Sequence, residues 1–182
     1  MSTVSVQFRR VGEVAMPSEF LIGRFSEGLI VRIVGRATMR ESPAFRAAVE
    51  PSLDAGVVVF DATQCGYLDS TFLGCLIWIK KACELSPRRR FLIAASNATR
   101  VKLFSTSSLN RYFDFVDASP EPLDQFVAID IENVAPEELG QHVMRCHEWL
   151  AGIGGREAAA FKAVAERLAK ELGEKAPERA TD

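Results

Sequence analysis

The feature that most constrains this chain is the run Gly56-Val57-Val58-Val59-Phe60-Asp61, in which every position between the glycine and the aspartate is apolar. A β-rich run without alternation suits a strand covered on both faces, the usual situation in a parallel sheet. A second such run, Phe91-Leu92-Ile93-Ala94-Ala95, follows a stretch of helical character from about Ser70 to Leu85 that Ser86-Pro87 ends. Buried strands alternating with helices at these lengths imply a mostly parallel sheet with helical cover.

The neighbouring segments extend that architecture. Phe20 to Phe25 and Leu29 to Val34 are β-rich runs separated by Ser26-Glu27-Gly28, a hairpin signal. Ser42-Pro43 opens a helix with Ser42 as its expected cap and Phe45, Ala48, Val49 and Leu53 facing inward, and Gly56 closes it. Ala62 to Leu68 reads as a connecting loop, Asn97 as the cap of a short helix through about Phe104, and Tyr112 to Val116 as a last strand. The fold class is α/β, a mixed and mostly parallel sheet with helices covering it. Before Pro17, Val4, Val6 and Phe8 alternate and suit an edge strand within an N-terminal extension, residues 1–18.

Residues 119–136 read as a linker rich in proline and acid, followed by a C-terminal helical hairpin over 137–173 and a disordered tail over 174–182. The first helix starts at Pro136-Glu137-Glu138 and presents Leu139, Val143, Cys146, Leu150 and Ile153; the second presents Phe161, Val164, Ala165, Leu168 and Leu172. Such a hairpin buries little alone. Its stripe, with Leu139, Val143, Leu150, Phe161 and Leu168 as the buried residues, is expected to pack on the sheet domain or to mediate a homodimer. Charge divides at the same place: residues 1–118 carry net +4 and residues 119–182 net −6. That division suits solvated faces, or an acidic tail docked on a mildly basic body.

Composition narrows the function classes. With 48% hydrophobic and 25% charged residues, the 182-residue chain has ample apolar surface for a core. Its first apolar residues are interleaved with Arg9, Arg10 and Glu13, and no run approaches the roughly 18 apolar residues of a membrane span. Neither secretion nor membrane insertion is therefore expected, and the expected location is the cytoplasm. Cys65, Cys75, Cys83 and Cys146 lack CxxC spacing and read as reduced core residues. Nothing suggests direct nucleic-acid binding, and no phosphate-cradling glycine motif is present. His142 and His147, five residues apart, lie about 140° apart around a helix, unsuited to a shared metal face. A Cys75–His142 nucleophile pair would have a buried thiol and no oxyanion site. No catalytic residue, metal or cofactor is assigned.

One junction asks for more than packing: Tyr67-Leu68-Asp69-Ser70-Thr71-Phe72-Leu73-Gly74, between the first buried strand and its helix. Ser70 stands where an N-cap is expected, and Asp69 adds negative charge near the positive helix end. The run GVVVFDATQCGYLDSTFLG resembles the STAS family, the sulfate-transporter and anti-sigma-factor-antagonist domain, in which a strand leads through a loop into an Asp-Ser-Ser/Thr motif and a helix. The segment FLIAASNATRVKLFSTSSLNRYFDFV is similar to that family's strand, short helix, small-residue loop and closing strand. The resemblance covers roughly residues 19–118, the STAS domain in this division of the chain.

In the regulatory branch, the bacterial anti-sigma factor antagonists, the first serine after the aspartate is phosphorylated by a serine kinase related to histidine-kinase ATPase domains, and a PP2C-like phosphatase reverses it. The resemblance thus implies a non-enzymatic, partner-switching adaptor with Ser70 as phospho-acceptor and Thr71 as the weaker candidate, whose partner is an anti-sigma factor or related serine kinase. Other relatives imply a constitutive adaptor that stabilises a larger complex, such as a lipid-transport ABC ATPase, without phosphorylation. Two positions depart from the pattern. Phe72 stands where antagonists generally carry glycine, giving a bulkier turn, and Thr38 replaces a carboxylate near the phosphosite.

On a helical wheel, Cys75, Leu76, Ile79, Ala82 and Cys83 share the Phe72 side, toward the sheet. Leu73 and Ile77 fall among Lys80, Lys81 and Glu84, on the side expected to be wet. Covered by the tail, they are structural; otherwise, with Asp69, Ser70 and Thr71, they form a partner-binding patch beside the phosphosite.

Overall fold

The computed structural model describes residues 18–105 and 109–173. The edge strand expected at Val4, Val6 and Phe8 and the tail at 174–182 lie outside the described residues. Strands β1 (Glu19–Phe25) and β2 (Gly28–Ala37) form an antiparallel hairpin. Helix α1 (Ser42–Val49) continues into a 3-10 turn over Glu50–Ala55, and β3 (Val57–Leu68) follows. Next come α2 (Ser70–Glu84), β4 (Arg90–Ala94), α3 (Asn97–Phe104), β5 (Asp114–Val116) and β6 (Val127–Ala128). Helices α4 (Pro136–Ala151) and α5 (Ala158–Glu171) close the described chain. The sheet order is β5-β4-β3-β2-β1-β6, with β2 to β5 parallel and β1 antiparallel to both its neighbours. This is a mixed, mostly parallel α/β sheet.

Strand β3 alternates between two apolar clusters. Val58, Phe60 and Ala62 join the large core beneath the helices, where Phe20, Phe45, Phe60 and Phe72 pack ring to ring at centroid distances of 4.8 to 6.0 Å. Val57 and Val59 belong to a small cluster on the other face with Ile30 and Ala94, against which Phe25, Leu92, Val116 and Phe126 pack.

Several boundaries differ from expectation. Residues 62–68 are strand, not loop: β3 runs on beside Val34–Ala37 after β4 has ended opposite Asp61. Paired on one side only there, it exposes Thr63, Gln64, Gly66 and Tyr67, which gives the segment its loop-like composition. The cap of α3 is Ser96, whose Oγ accepts from Thr99 N, rather than Asn97. Tyr112 precedes β5 and follows a 3-10 turn at Leu109–Arg111. Residues 119–136 are not a free linker. Leu123 N donates to Arg24 O, β6 pairs with β1, and Ile129 N donates to Phe20 O.

Phe126 holds this segment on the second face of the sheet. Its ring lies against Gly23, where a Cβ would come within 2.9 Å, and the Arg32 guanidinium lies 4.3 Å above its centroid. Arg32 Nε donates to Asp61 Oδ2 (2.7 Å), and Asp61 Oδ1 accepts from Thr63 N and Thr63 Oγ1. Burial of Asp61 raises its pKa, but the bonds from Thr63 and Arg32 outweigh it, and the carboxyl sits below its ordinary value. Asp61→Ala leaves Arg32 without its counter-charge and should cost about 2–4 kcal/mol in urea unfolding at neutral pH, with Asp61→Asn in between. A loss under about 1 kcal/mol would mean that the pair contributes no more than a surface ion pair.

Candidate functional site

Leu68 ends β3, and Asp69 turns the chain into α2. Asp69 Oδ1 accepts from Phe72 N (2.8 Å) and Oδ2 from Met39 N (2.7 Å). Asp69 is therefore the N-cap, and Ser70 is the first helical residue, a correction to the expected cap. A carboxylate offers two acceptor oxygens, so it serves the helix amide and the β2–α1 loop together, which one hydroxyl cannot do as well. Ser42 is likewise not a cap: Glu41 precedes α1 without a side-chain capping bond, and Ser42, fully buried, turns its Oγ back to Met39 O.

The two departures from the family pattern acquire positions. Phe72 points into the aromatic core and is fully buried, so its bulk is taken up by the core rather than by the turn. Thr38 Oγ1 donates to Glu41 Oε2 (2.6 Å), and Thr38 N donates to the same oxygen (2.9 Å). A carboxylate absent from position 38 thus stands three residues later.

The hydroxyl of Ser70 is half-buried and lies 3.2 Å from His147 Nε2. His147 Nδ1 is 2.9 Å from Val143 O. A carbonyl only accepts, so Nδ1 carries a proton, and in the Nδ1–H tautomer Nε2 accepts from Ser70. A second serine–histidine pair lies nearby: Ser42 Oγ is 2.8 Å from His142 Nε2. With the Ser42 proton directed to Met39 O, His142 donates through Nε2. The two histidines share no partner; each ties α4 to the first turn of a different helix.

Between these bonds the helices meet backbone to backbone. A Cβ on Gly74 would fall 2.2 Å from Cys146 O and 2.8 Å from Cys146 Cα. Farther along, Lys81 Nζ lies 4.8 Å from the Trp149 ring centroid. Ser70, Gly74 and Lys81 mark one stripe of α2 under α4, and Leu73 and Ile77 lie along it.

Leu73 (6% exposed) and Ile77 (0%) are therefore buried, and the expectation of a wet side is corrected. The wheel placed them opposite the sheet side, as it should, but that side faces the tail. Thr71 is also buried, at 3% exposure. The tail stripe is rotated from expectation: of its five predicted residues only Leu150 is fully buried, while Leu139, Val143, Phe161 and Leu168 are half-buried. The buried side chains are instead His142, Met144, Cys146, His147, Leu150, Ala165 and Ala169. An apolar count misses two buried histidines, and their only sequence signal is that each interrupts an apolar helix and needs a partner.

Cys75 Sγ faces Ser42 O (3.8 Å), while Cys146 Sγ lies 3.5 Å from His142 Nε2. Burial raises the Cys75 thiol well above its ordinary pKa and pushes Cys146 up to about 12, so neither is an activated thiolate.

A scan against protein-family profiles finds no match, and no curated protein matches the sequence. Among solved structures, the fold is similar to the crystal structure of an anti-sigma factor antagonist from Mycobacterium paratuberculosis, at 17% identity and a TM-score of 0.46, over 56% of this chain and 87% of that one. Among the described residues, no helix is long and apolar enough to cross a membrane.

Burial, reinforced by Arg46 and Arg145, lowers His142 from its ordinary value of 6.5 to about 4. Arg46 of α1, Glu50 of the 3-10 turn after it, and Glu138 and Arg145 of α4 line the groove with it, and Cys75 of α2 bonds the same Ser42. A histidine held neutral when folded loses stability as pH falls through its unfolded pKa, and the loss levels off below its folded pKa. Wild-type stability should thus be level between about pH 7 and 8 and fall by roughly 3 kcal/mol between about pH 6.5 and 4. His142→Gln should flatten that limb in chemical denaturation. Asp61, being lowered, loses its contribution only below the ordinary carboxylate range, outside this window. Identical pH profiles for the two chains would refute the assignment.

Proposed function

We propose that this chain is a non-enzymatic, cytoplasmic signalling adaptor of the anti-sigma factor antagonist type. It binds an anti-sigma factor or related serine kinase and is switched by phosphorylation at Ser70, which a PP2C-like phosphatase reverses. The observation that carries this reading is the setting of Ser70: a half-exposed hydroxyl at the first position of α2, directly after the capping carboxylate of Asp69, at the end of the central strand β3. The sequence resemblance implies a phospho-acceptor at the same residue. A phosphate there adds nearly two negative charges at a helix N-terminus, where the macrodipole tolerates them, so the domain keeps its fold while an interface that must desolvate the dianion weakens.

Burial separates the site residues into two groups. Asp69 and Ser70 are partly open to a partner, whereas Thr71 is buried, and Leu73 and Ile77 join an interface only if α4 moves. Thr71 is thereby the poorer acceptor. The engagement of Ser70 by His147 favours a second reading, a constitutive adaptor that stabilises a larger complex such as a lipid-transport ABC ATPase and needs no modification.

Incubation with a purified serine kinase of the ATPase-domain class and Mg-ATP should add one phosphate to the wild type and none to Ser70→Ala, located by peptide mass spectrometry. Ser70→Asp should weaken binding to that kinase about 5- to 150-fold, the range of a typical regulatory coupling. Equal affinity of Ser70→Asp and wild type, with no phosphate at Ser70, would leave the constitutive adaptor as the better reading.

A further inference from the structure

The hydroxyl that would receive the phosphate is the same hydroxyl that fastens α4. Ser70 Oγ donates to His147 Nε2 across 3.2 Å, and a phosphoryl group on that oxygen removes the proton that makes this bond. The rest of the contact is equally particular to α2: Gly74 admits the Cys146 backbone, Lys81 stacks on Trp149, and Leu150 is buried in the core. Helix α4 also covers the stripe on which Leu73 and Ile77 lie.

We propose that α4 is an autoinhibitory cover of the α2 face, so that docking of α4 and modification of Ser70 exclude one another. This rests on the reading of Ser70 as phospho-acceptor. With α4 docked, a kinase meets a hydroxyl that is half-buried and already engaged. With α4 released, Ser70, Leu73 and Ile77 become available together. The coupling is reciprocal: a phosphate on Ser70 favours the released state, as release favours the phosphate.

Gly74 supplies a variant that opens the cover without touching Ser70. A methyl group at Gly74 collides with the Cys146 backbone while improving the helix propensity of α2 itself. Two rates are read on the full chain, the labelling of Cys146 by a maleimide and the phosphorylation of Ser70 by the purified kinase with Mg-ATP. Gly74→Ala should raise both by at least about tenfold over wild type. Trp149→Ala, which removes the Lys81 contact at the rim, should raise both by less. Far-UV circular dichroism identifies any variant that has lost its fold, and Trp149→Ala then decides.

Unchanged Cys146 labelling in a folded Gly74→Ala chain overturns the cover. Faster labelling with an unchanged rate of Ser70 phosphorylation overturns autoinhibition while leaving Ser70 as the acceptor. Faster labelling with no phosphate on Ser70 in any chain overturns the antagonist reading itself, and with it any regulatory meaning of a helix that nonetheless opens.

Discussion

The carboxylate of Asp69 is the constraint on which the site depends. One oxygen caps α2 and the other holds the Met39 amide of the β2–α1 loop, so a single side chain fixes the start of the helix and the neighbouring loop against each other. Met39 in turn accepts from Ser42, and Ser42 meets His142. The position of α4 is thus registered through polar contacts to the same junction that orients Ser70. Loss of that carboxylate would unfasten three elements at once, unlike an ordinary cap, which steadies only its own helix.

The sheet was legible because its signals are local. The continuous apolar runs of β3 and β4, the hairpin before them and the amphipathic spacing of α1, α2, α4 and α5 all follow from period and turn chemistry. The β3 extension was not, since a strand paired on one side and bulged against its neighbour carries the composition of a loop. The 119–136 segment hid for a related reason. Its hold on the sheet comes from one ring, Phe126, and a few backbone bonds to β1, with no periodic pattern to betray them.

At the site, the chemistry-bearing residues could be named from the junction motif, but not their neighbours. Leu73 and Ile77 were placed on the correct side of α2; what lies over that side depends on residues some 70 positions later, which no local pattern encodes. Ser42–His142 and Ser70–His147 pair across separations of 100 and 77 residues. Each is a polar group buried because it has found a partner, so the apolar stripe alone gives the wrong rotation of α4.

The anchoring of residues 123–131 on the outer sheet edge has a consequence for how α4 competes. Leu123, β6 and Ile129 fix that segment to β1, and Ile131 packs on the core, so only residues 132–135 separate a fastened chain from the start of α4. The five Cα–Cα steps from Ile131 to Pro136 reach at most roughly 17 Å. A released α4 therefore stays at an effective concentration of the order of millimolar beside its own seat. Any protein that displaces it contends with a ligand that cannot be diluted away, which makes the occupancy of α2 depend on partner concentration and affinity but not on the concentration of this chain.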